Sequence, residues 1–200
     1  MASSIKIIDF QLAKEELRRE LDKFRGDLFA TVGIHEDKNA PIGEGDMTMA
    51  RLGATLNYGA EIDHPGGTSY GYATEEAEKE KRVTFLAKGA GYKILGVTQP
   101  HKINIPARPW LIPGVQKATQ DIVETIGNGV KNGLVSSQIL EQVGAIAAGS
   151  VQQYMTDLKS PANAKSTIAK KGSSNPLIDT GALRASVTYK VTSDKPEEGI

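Results

Sequence analysis

Asn175-Pro-Leu-Ile-Asp-Thr-Gly-Ala-Leu-Arg-Ala-Ser-Val-Thr-Tyr-Lys-Val191 is the stretch whose reading decides the fold. Pro176 fixes the entry to a turn, and Asp179 or Thr180 is placed to cap one helical turn after it. Ala185, Val187, Tyr189 and Val191 then alternate with Ser186, Thr188, Lys190 and Thr192, the pattern of an antiparallel strand buried on one face. Upstream, Ser160-Pro161 has the cap-then-proline order that opens a helix, so a third, short helix is expected from there.

Further out, Leu140, Val143, Ile146/Ala147, Val151, Tyr154/Met155 and Leu158 keep a helical stripe for five turns. Val115, Ala118, Ile122, Ile126 and Val130 form another stripe after Trp110, with Gly133 as its stop. Lys102–Pro106 alternates as a strand, and Val83–Ala87 and Tyr92–Val97 flank Lys88-Gly-Ala-Gly91 as a predicted β-hairpin. Asp46 or Thr48 starts a short helix carrying Met49, Leu52 and Leu56 and ending at Gly59, after a strand at Leu28–Ile34 and a loop at 35–46. Asp9 caps an amphipathic helix with Phe10, Ala13, Leu17, Leu21 and Phe24 on one face. Residues 63–82 are glycine-rich and then almost wholly charged, and read as an exposed, mobile excursion; residues 193–200 read as a frayed tail. The expectation is a single α+β domain over residues 1–200: a mostly antiparallel sheet packed against two long helices, with an amphipathic N-terminal helix.

Composition narrows the function. Lys plus Arg and Asp plus Glu both number 24, without the basic surplus of a protein that grips phosphates. The absence of cysteine excludes disulfides, thiolate catalysis and cysteine-rich zinc sites. The start Met-Ala-Ser-Ser-Ile-Lys is too polar for a signal peptide, and no run approaches the roughly 20 apolar residues of a membrane helix. A soluble protein made in the cytoplasm is expected.

Candidate sites are few. Gly67-Thr-Ser-Tyr-Gly71 matches the nucleophile-elbow pattern, which works only with Ser69 on a tight turn between a buried strand and a helix. Its surroundings read instead as a flexible loop, yet a small hydrolase or metal-dependent enzyme using Ser69 or the histidines is the alternative to weigh. His35, His64 and His101 lie outside helical ligand spacing, so a metal needs them, with Asp37 or Asp63, to meet in space. Ile105-Pro-Ala-Arg-Pro-Trp-Leu111 is a proline-stiffened joint that sets Arg108, Pro109 and the only tryptophan, Trp110, close together. Arg and Trp suit an interface hot spot, and equally a buried core position. The turn Pro176 to Leu183, with Asp179, Thr180 and Gly181, has an architectural role as its simplest reading.

The order Thr167-Ile168, Lys171-Gly172, then Pro176-Leu-Ile-Asp-Thr-Gly-Ala-Leu183 and Ser186-Val187 resembles the C-terminal signature of tailed-bacteriophage tail-completion proteins. Val32-Gly-Ile34, Ala50 to Gly59, His64-Pro-Gly-Gly-Thr68 and Ile105-Pro-Ala-Arg-Pro-Trp110 are similar to further patches of that family, with Trp110 where phenylalanine is usual. The matches run in family order from about residue 31 to 191, with 69–92 fitting less well. The resemblance implies a structural virion protein of the head–tail neck that completes or terminates the tail, with no catalysis and no cofactor. It implies a ring, commonly of six copies, that contacts tail-tube or head-connector proteins without sequence-specific DNA contact. In this reading Arg108, Pro109, Trp110, Pro176, Asp179, Thr180, Gly181 and Leu183 organise the fold or its interfaces.

Overall fold

The computed structural model describes residues 28–194, so the expected N-terminal helix and the last residues of the expected frayed tail lie outside the described residues. The chain divides into two compact units, Gly59–Ala107 and the remainder, where one domain is expected. The class is α+β, but the strands form three small antiparallel sheets rather than one. Seven helices occur among the described residues.

In the larger unit, β1 (Phe29–Gly33) pairs antiparallel with β7 (Thr188–Thr192), placing Phe29 opposite Thr192 and Gly33 opposite Thr188. The expected terminal strand is thus present but begins at Thr188: Val187 is fully buried just before it, while Ala185, where the alternation is expected to start, is exposed in the preceding helix and Ser186 is buried. The segment 35–46 holds one 3-10 turn, Glu36–Lys38, and is otherwise irregular apart from a bridge between Pro41 and Thr48. Helix α1 (Met49–Tyr58) is capped from two places: Thr48 Oγ1 accepts from the Arg51 N–H at 3.3 Å, and Asn39 Oδ1 from the Ala50 N–H at 2.9 Å.

The helical stripe beyond Trp110 is two helices, α3 (Leu111–Lys117) and α4 (Thr119–Lys131). They break at Ala118, whose φ of −90° and ψ of 3° leave the helical region without turning the chain far. Gly133 ends α4 as expected, at φ 68°, with the Leu134 N–H returning to Gly129 O. The long helix α5 (Ser136–Asp157) buries Ile139, Gly144, Ala147, Ala148, Val151 and Met155. Its deepest line includes small residues beside the predicted large ones, because neighbours come close there. At Gly114 of α3 an added Cβ would stand 2.8 Å from the Val151 Cα, and at Gly144 one would stand 2.4 Å from Cδ2 of Tyr189.

Helix α6 (Lys165–Lys171) begins five residues beyond Ser160, correcting the expected start at Ser160-Pro161. The reason is chemical: the carbonyls of Pro161 and Ala162 are taken by the Arg108 side chain and are not free to open a helical ladder. Helix α7 (Ala182–Ser186) is the predicted single turn before β7. The core of this unit gathers Trp110, Val151, Met155, Leu177, Leu183 and Val187, flanked by Val32, Ile34, Leu52 and Leu56.

The smaller unit contains β2 (Ala60–His64) paired with β6 (His101–Ile105), and a sheet of order β4-β3-β5 from β3 (Ser69–Tyr72), β4 (Thr84–Phe85) and β5 (Lys93–Val97). Helix α2 (Glu75–Lys79) is capped by Thr74 Oγ1, which accepts from the Ala77 N–H at 3.2 Å. Residues 63–82, expected as an excursion, therefore supply two strand segments and a helix of this unit. The predicted hairpin is also corrected: its two strands do not pair, because β3 lies between them. Gly71 admits that arrangement, since a Cβ there would stand 2.1 Å from the Lys93 carbonyl oxygen, at a register shift in the ladder. At the unit's start, Gly59 has φ +78° and a Cβ there would stand 2.7 Å from Ile105 O, so only glycine turns this corner.

Two glycines of the helical layer separate packing from propensity. Gly114→Ala is expected to lower stability by about 1–3 kcal/mol, as α3 and α5 must part. Gly149→Ala, where a Cβ meets nothing within 4 Å, is expected to raise it by roughly 0.5–1 kcal/mol. Urea unfolding of both variants measures the pair, and equal effects would contradict the close-approach account.

Candidate functional site

The joint predicted from Arg108-Pro-Trp110 is a built structure. Arg108 is 5% exposed and Trp110 4%, with Pro109 exposed between them. Two of the fixed donors of the guanidinium meet backbone oxygens: Nε donates to Pro161 O at 2.8 Å and Nη2 to Ala162 O at 3.2 Å. Nη2 also reaches Asn163 Oδ1 at 3.3 Å. The partners are dipoles rather than a carboxylate, so burial draws the Arg108 pKa below the usual guanidinium range while leaving it a cation.

Trp110 is held at both its backbone and its ring. Its indole Nε1–H donates to Gly53 O of α1 at 3.0 Å. Asn57 Oδ1 accepts from the Trp110 N–H at 3.0 Å and from the Leu111 N–H at 3.4 Å, capping α3 from another helix. The Arg108 N–H donates to Leu56 O at 2.8 Å. Gly53 makes room for the ring: a Cβ there would lie 3.1 Å from the Trp110 Cζ2 and 3.0 Å from the Ile34 Cδ1.

The second motif is centred one residue before the predicted one. Asn175 Oδ1 accepts from the Leu177 and Ile178 N–H groups at 2.9 and 3.0 Å, which shapes the turn that Pro176 enters. Its Nδ2 donates to Thr156 O at 2.8 Å, satisfying a carbonyl at the end of α5. Asn163 Nδ2 donates to Asn175 O at 3.2 Å and so links this turn to Arg108. Lys171 Nζ donates to the same oxygen at 2.7 Å. Burial, and then the Arg108 charge, push Lys171 below the usual lysine range against the pull of Asp179.

Of the predicted residues, Pro176 and Leu183 are buried, while Asp179 and Thr180 are exposed. Thr180 Oγ1 accepts from the Ala182 N–H at 3.3 Å, yet no side chain caps α7, whose N-cap is Gly181 rather than the expected Asp179 or Thr180. Gly181 sits at φ 87° before α7. The structure therefore joins Arg108, Trp110, Pro176 and Leu183 in one neighbourhood. Asn57, Asn163 and Asn175, which the sequence reading did not single out, provide its polar links. An Asn immediately before Pro176 was the one available signal for them.

The other candidates are placed differently. Ser69 begins β3, and its carbonyl accepts from the Leu86 N–H at 2.9 Å, so it stands in a sheet rather than on a strand-to-helix elbow. His64 and His101 face each other across the β2–β6 ladder with ring centroids 4.9 Å apart. The Gly66 N–H binds the Nδ1 of His64 at 3.0 Å, while the Nδ1 of His101 lies 2.8 Å from Gln99 O. Among the described residues no group of three or more His, Cys, Asp or Glu is placed to hold a metal ion.

His35 lies in the larger unit at the β1–β7 corner, bridging Thr31 Oγ1 at 2.9 Å through Nε2 and Thr188 Oγ1 at 3.0 Å through Nδ1. Burial and the Lys190 charge lower its pKa, with Asp37 opposing. No helix among the described residues is long and apolar enough to cross a membrane. No family model matches the chain, and neither a curated protein nor a solved structure is found to resemble it significantly.

The seat of Trp110 predicts a coupled pair. Trp110→Phe and Gly53→Ala should each lower stability by about 1–2 kcal/mol, through a lost hydrogen bond and a crowded ring respectively. Combined, they should lose about 1 kcal/mol less than the sum, because the smaller ring frees the space the alanine needs. A double-mutant cycle in urea checks this, and strict additivity would refute the contact. His35 sets a pH dependence. Its folded pKa lies below its unfolded value near 6.5, so the unfolded chain binds the proton first and stability falls as pH drops through about 6.5. His35→Gln should flatten that part of the stability–pH curve, measured by thermal unfolding between about pH 5 and 8.

Proposed function

We propose that this chain is a structural protein of the phage virion, acting at the head–tail neck to complete or terminate the tail and join it to the head connector. It works as a ring of its own copies, about six by family resemblance, and its chemistry is that of assembly rather than catalysis. The observation that supports this reading is the convergence of the two signature patches. Residues 105–110 and 176–187 carry much of the resemblance, and they share one core: Trp110 packs in the cluster that holds Leu177, Leu183 and Val187. Arg108 and Asn175 are bridged by Asn163. A motif pair that builds the scaffold suits a family defined by its shape.

In this reading Arg108, Trp110, Pro176 and Leu183 hold the fold, and exposed surfaces make the contacts to neighbouring copies, tail-tube protein and connector. A formal net charge of zero leaves little repulsion between identical subunits. Repeated head-to-tail contacts that close on themselves generate such a ring. The protein is synthesised in the host cytoplasm and ends in the virion.

The test is the mass of the purified chain by light scattering over a range of concentrations, alone and with tail-tube protein. A closed ring, formed alone or on addition of the tube, is the expected result. A monomer indifferent to both concentration and tube would overturn the reading.

A further inference from the structure

Helix α4 of the larger unit is covered along one side by α5 and left bare along the next. On the covered side Gly129 is buried, and a Cβ there would stand 2.6 Å from the Ile139 Cγ1. Beside it Thr119, Val123, Ile126 and Val130 follow one another at spacings of four, three and four, the seam with which one helix packs along another. Val123 is 62% exposed, Ile126 40% and Val130 42%. Gly127 flanks this seam. A glycine inside a helix weakens it, and a Cβ at Gly127 would meet nothing within 4 Å. Ile139 accounts for Gly129, but no described neighbour accounts for Gly127.

The chain before Leu28 lies outside the described residues, and its sequence carries a matching stripe: Phe10, Ala13, Leu17, Leu21 and Phe24. As a helix, residues 10–24 would be about 22 Å long, against about 20 Å for α4. The point of attachment fits as well. Strand β7 starts where the Gln152 side chain donates to Val187 O at 2.8 Å and runs towards the beginning of α5, where Glu141 and Thr192 line one groove. Phe29 pairs with Thr192, so the chain enters the fold beside the first turns of α5. The end of α4 meets α5 at the same level, through Gly129 and Ile139. From Phe24 to Leu28 is four residue steps, at most about 14 Å, enough to cross the width of one helix, about 10–12 Å.

We propose that residues 10–24 dock as a helix on the bare seam of α4 in the same chain, running parallel to it. The direction follows from the tether, which keeps Phe24 near the α4 end that holds Val130. Setting Phe24 opposite Val130 puts Leu17 opposite Val123 and Ala13 opposite Thr119. Leu21 then falls opposite Gly127, so the one large residue that departs from the heptad meets the position without a side chain. The α4 positions flanking the seam are Gln120, Ile122, Gly127 and Gly129, and none of them is charged. A second copy carries the same stripe. Three intervening residues, however, hold the chain's own segment at an effective concentration on the order of mM, which favours docking within the chain. This inference does not depend on the virion reading.

The chain has no cysteine, so paired substitutions report the contact directly. In the full-length protein carrying Leu17→Cys and Val123→Cys, mild oxidation at low protein concentration should close a disulfide within one chain. It should form at least tenfold faster than in the Leu17→Cys, Ile112→Cys protein, whose second site is exposed on α3 away from the seam. Separately, Val123→Lys should speed hydrogen exchange of the residue 10–24 amides at least tenfold while the amides of α5 keep their rates. Equal cross-linking of the two cysteine pairs would overturn the docking. So would disulfides that form chiefly between chains, which would place the segment on a second copy. Exchange of residues 10–24 that Val123→Lys leaves unchanged would overturn it too.

Discussion

A buried guanidinium that donates its hydrogen bonds to backbone carbonyls constrains everything near it. Arg108 reaches residues more than fifty positions later in the chain, and the segment 161–163 must stay irregular to meet it. A carboxylate partner would bring one charge to one atom and tolerate some drift. Carbonyl dipoles have no such latitude, because each must point at the fork while the peptide around it remains extended. The turn containing Asn163 is thereby fixed, and through it Asn175, the end of α5 and the path into Leu177.

Trp110 plays the complementary part. Its ring fills the space left by Gly53, and its backbone is seated by Asn57, so α1 and α3 are joined by one side chain in each direction. The tryptophan in this joint is thus matched to a glycine on the facing helix. A phenylalanine at this joint would leave the facing position less ring to accommodate and no indole N–H to receive.

The parts legible in the sequence were those with strong local periodicity. The long helix α5, the short α1 and the strand β7 all repeat their apolar residues at the spacing their geometry demands, and each was placed to within a few residues. Failures came where a distant partner decided the outcome. Ser160-Pro161 has the right local order for a helix start, and Arg108 overrides it. Val83–Ala87 and Tyr92–Val97 look like a hairpin, and a third strand enters between them because Gly71 has no side chain to forbid it. Beyond the break at Ala118 the expected stripe is only partly kept, since Ile126 and Val130 are exposed and Gly129 is the buried residue of α4. At the site, Arg108, Trp110 and Leu183 were recognisable by residue type. The asparagines that join them were not, because an amide fits a loop, a cap or a bridge equally well and only the fold selects among these.

The corner at Gly59 has a consequence for how this chain can vary. The chain leaves the larger unit after Tyr58 and returns at Arg108, and both crossings are tied: Ala60 lies opposite Ile105, and the Arg108 N–H is bound to Leu56 O. Closing a loop of about 50 residues is entropically only about 2 kcal/mol harder than closing one of five. With its two ends already stitched together, the stretch between them behaves as an interchangeable cassette. It can lengthen, shorten or be replaced without disturbing the register of the scaffold that carries it. Divergence among related chains should therefore concentrate between residues 59 and 107, while the sequence on either side of that seam stays bound to the geometry of one arginine and one tryptophan.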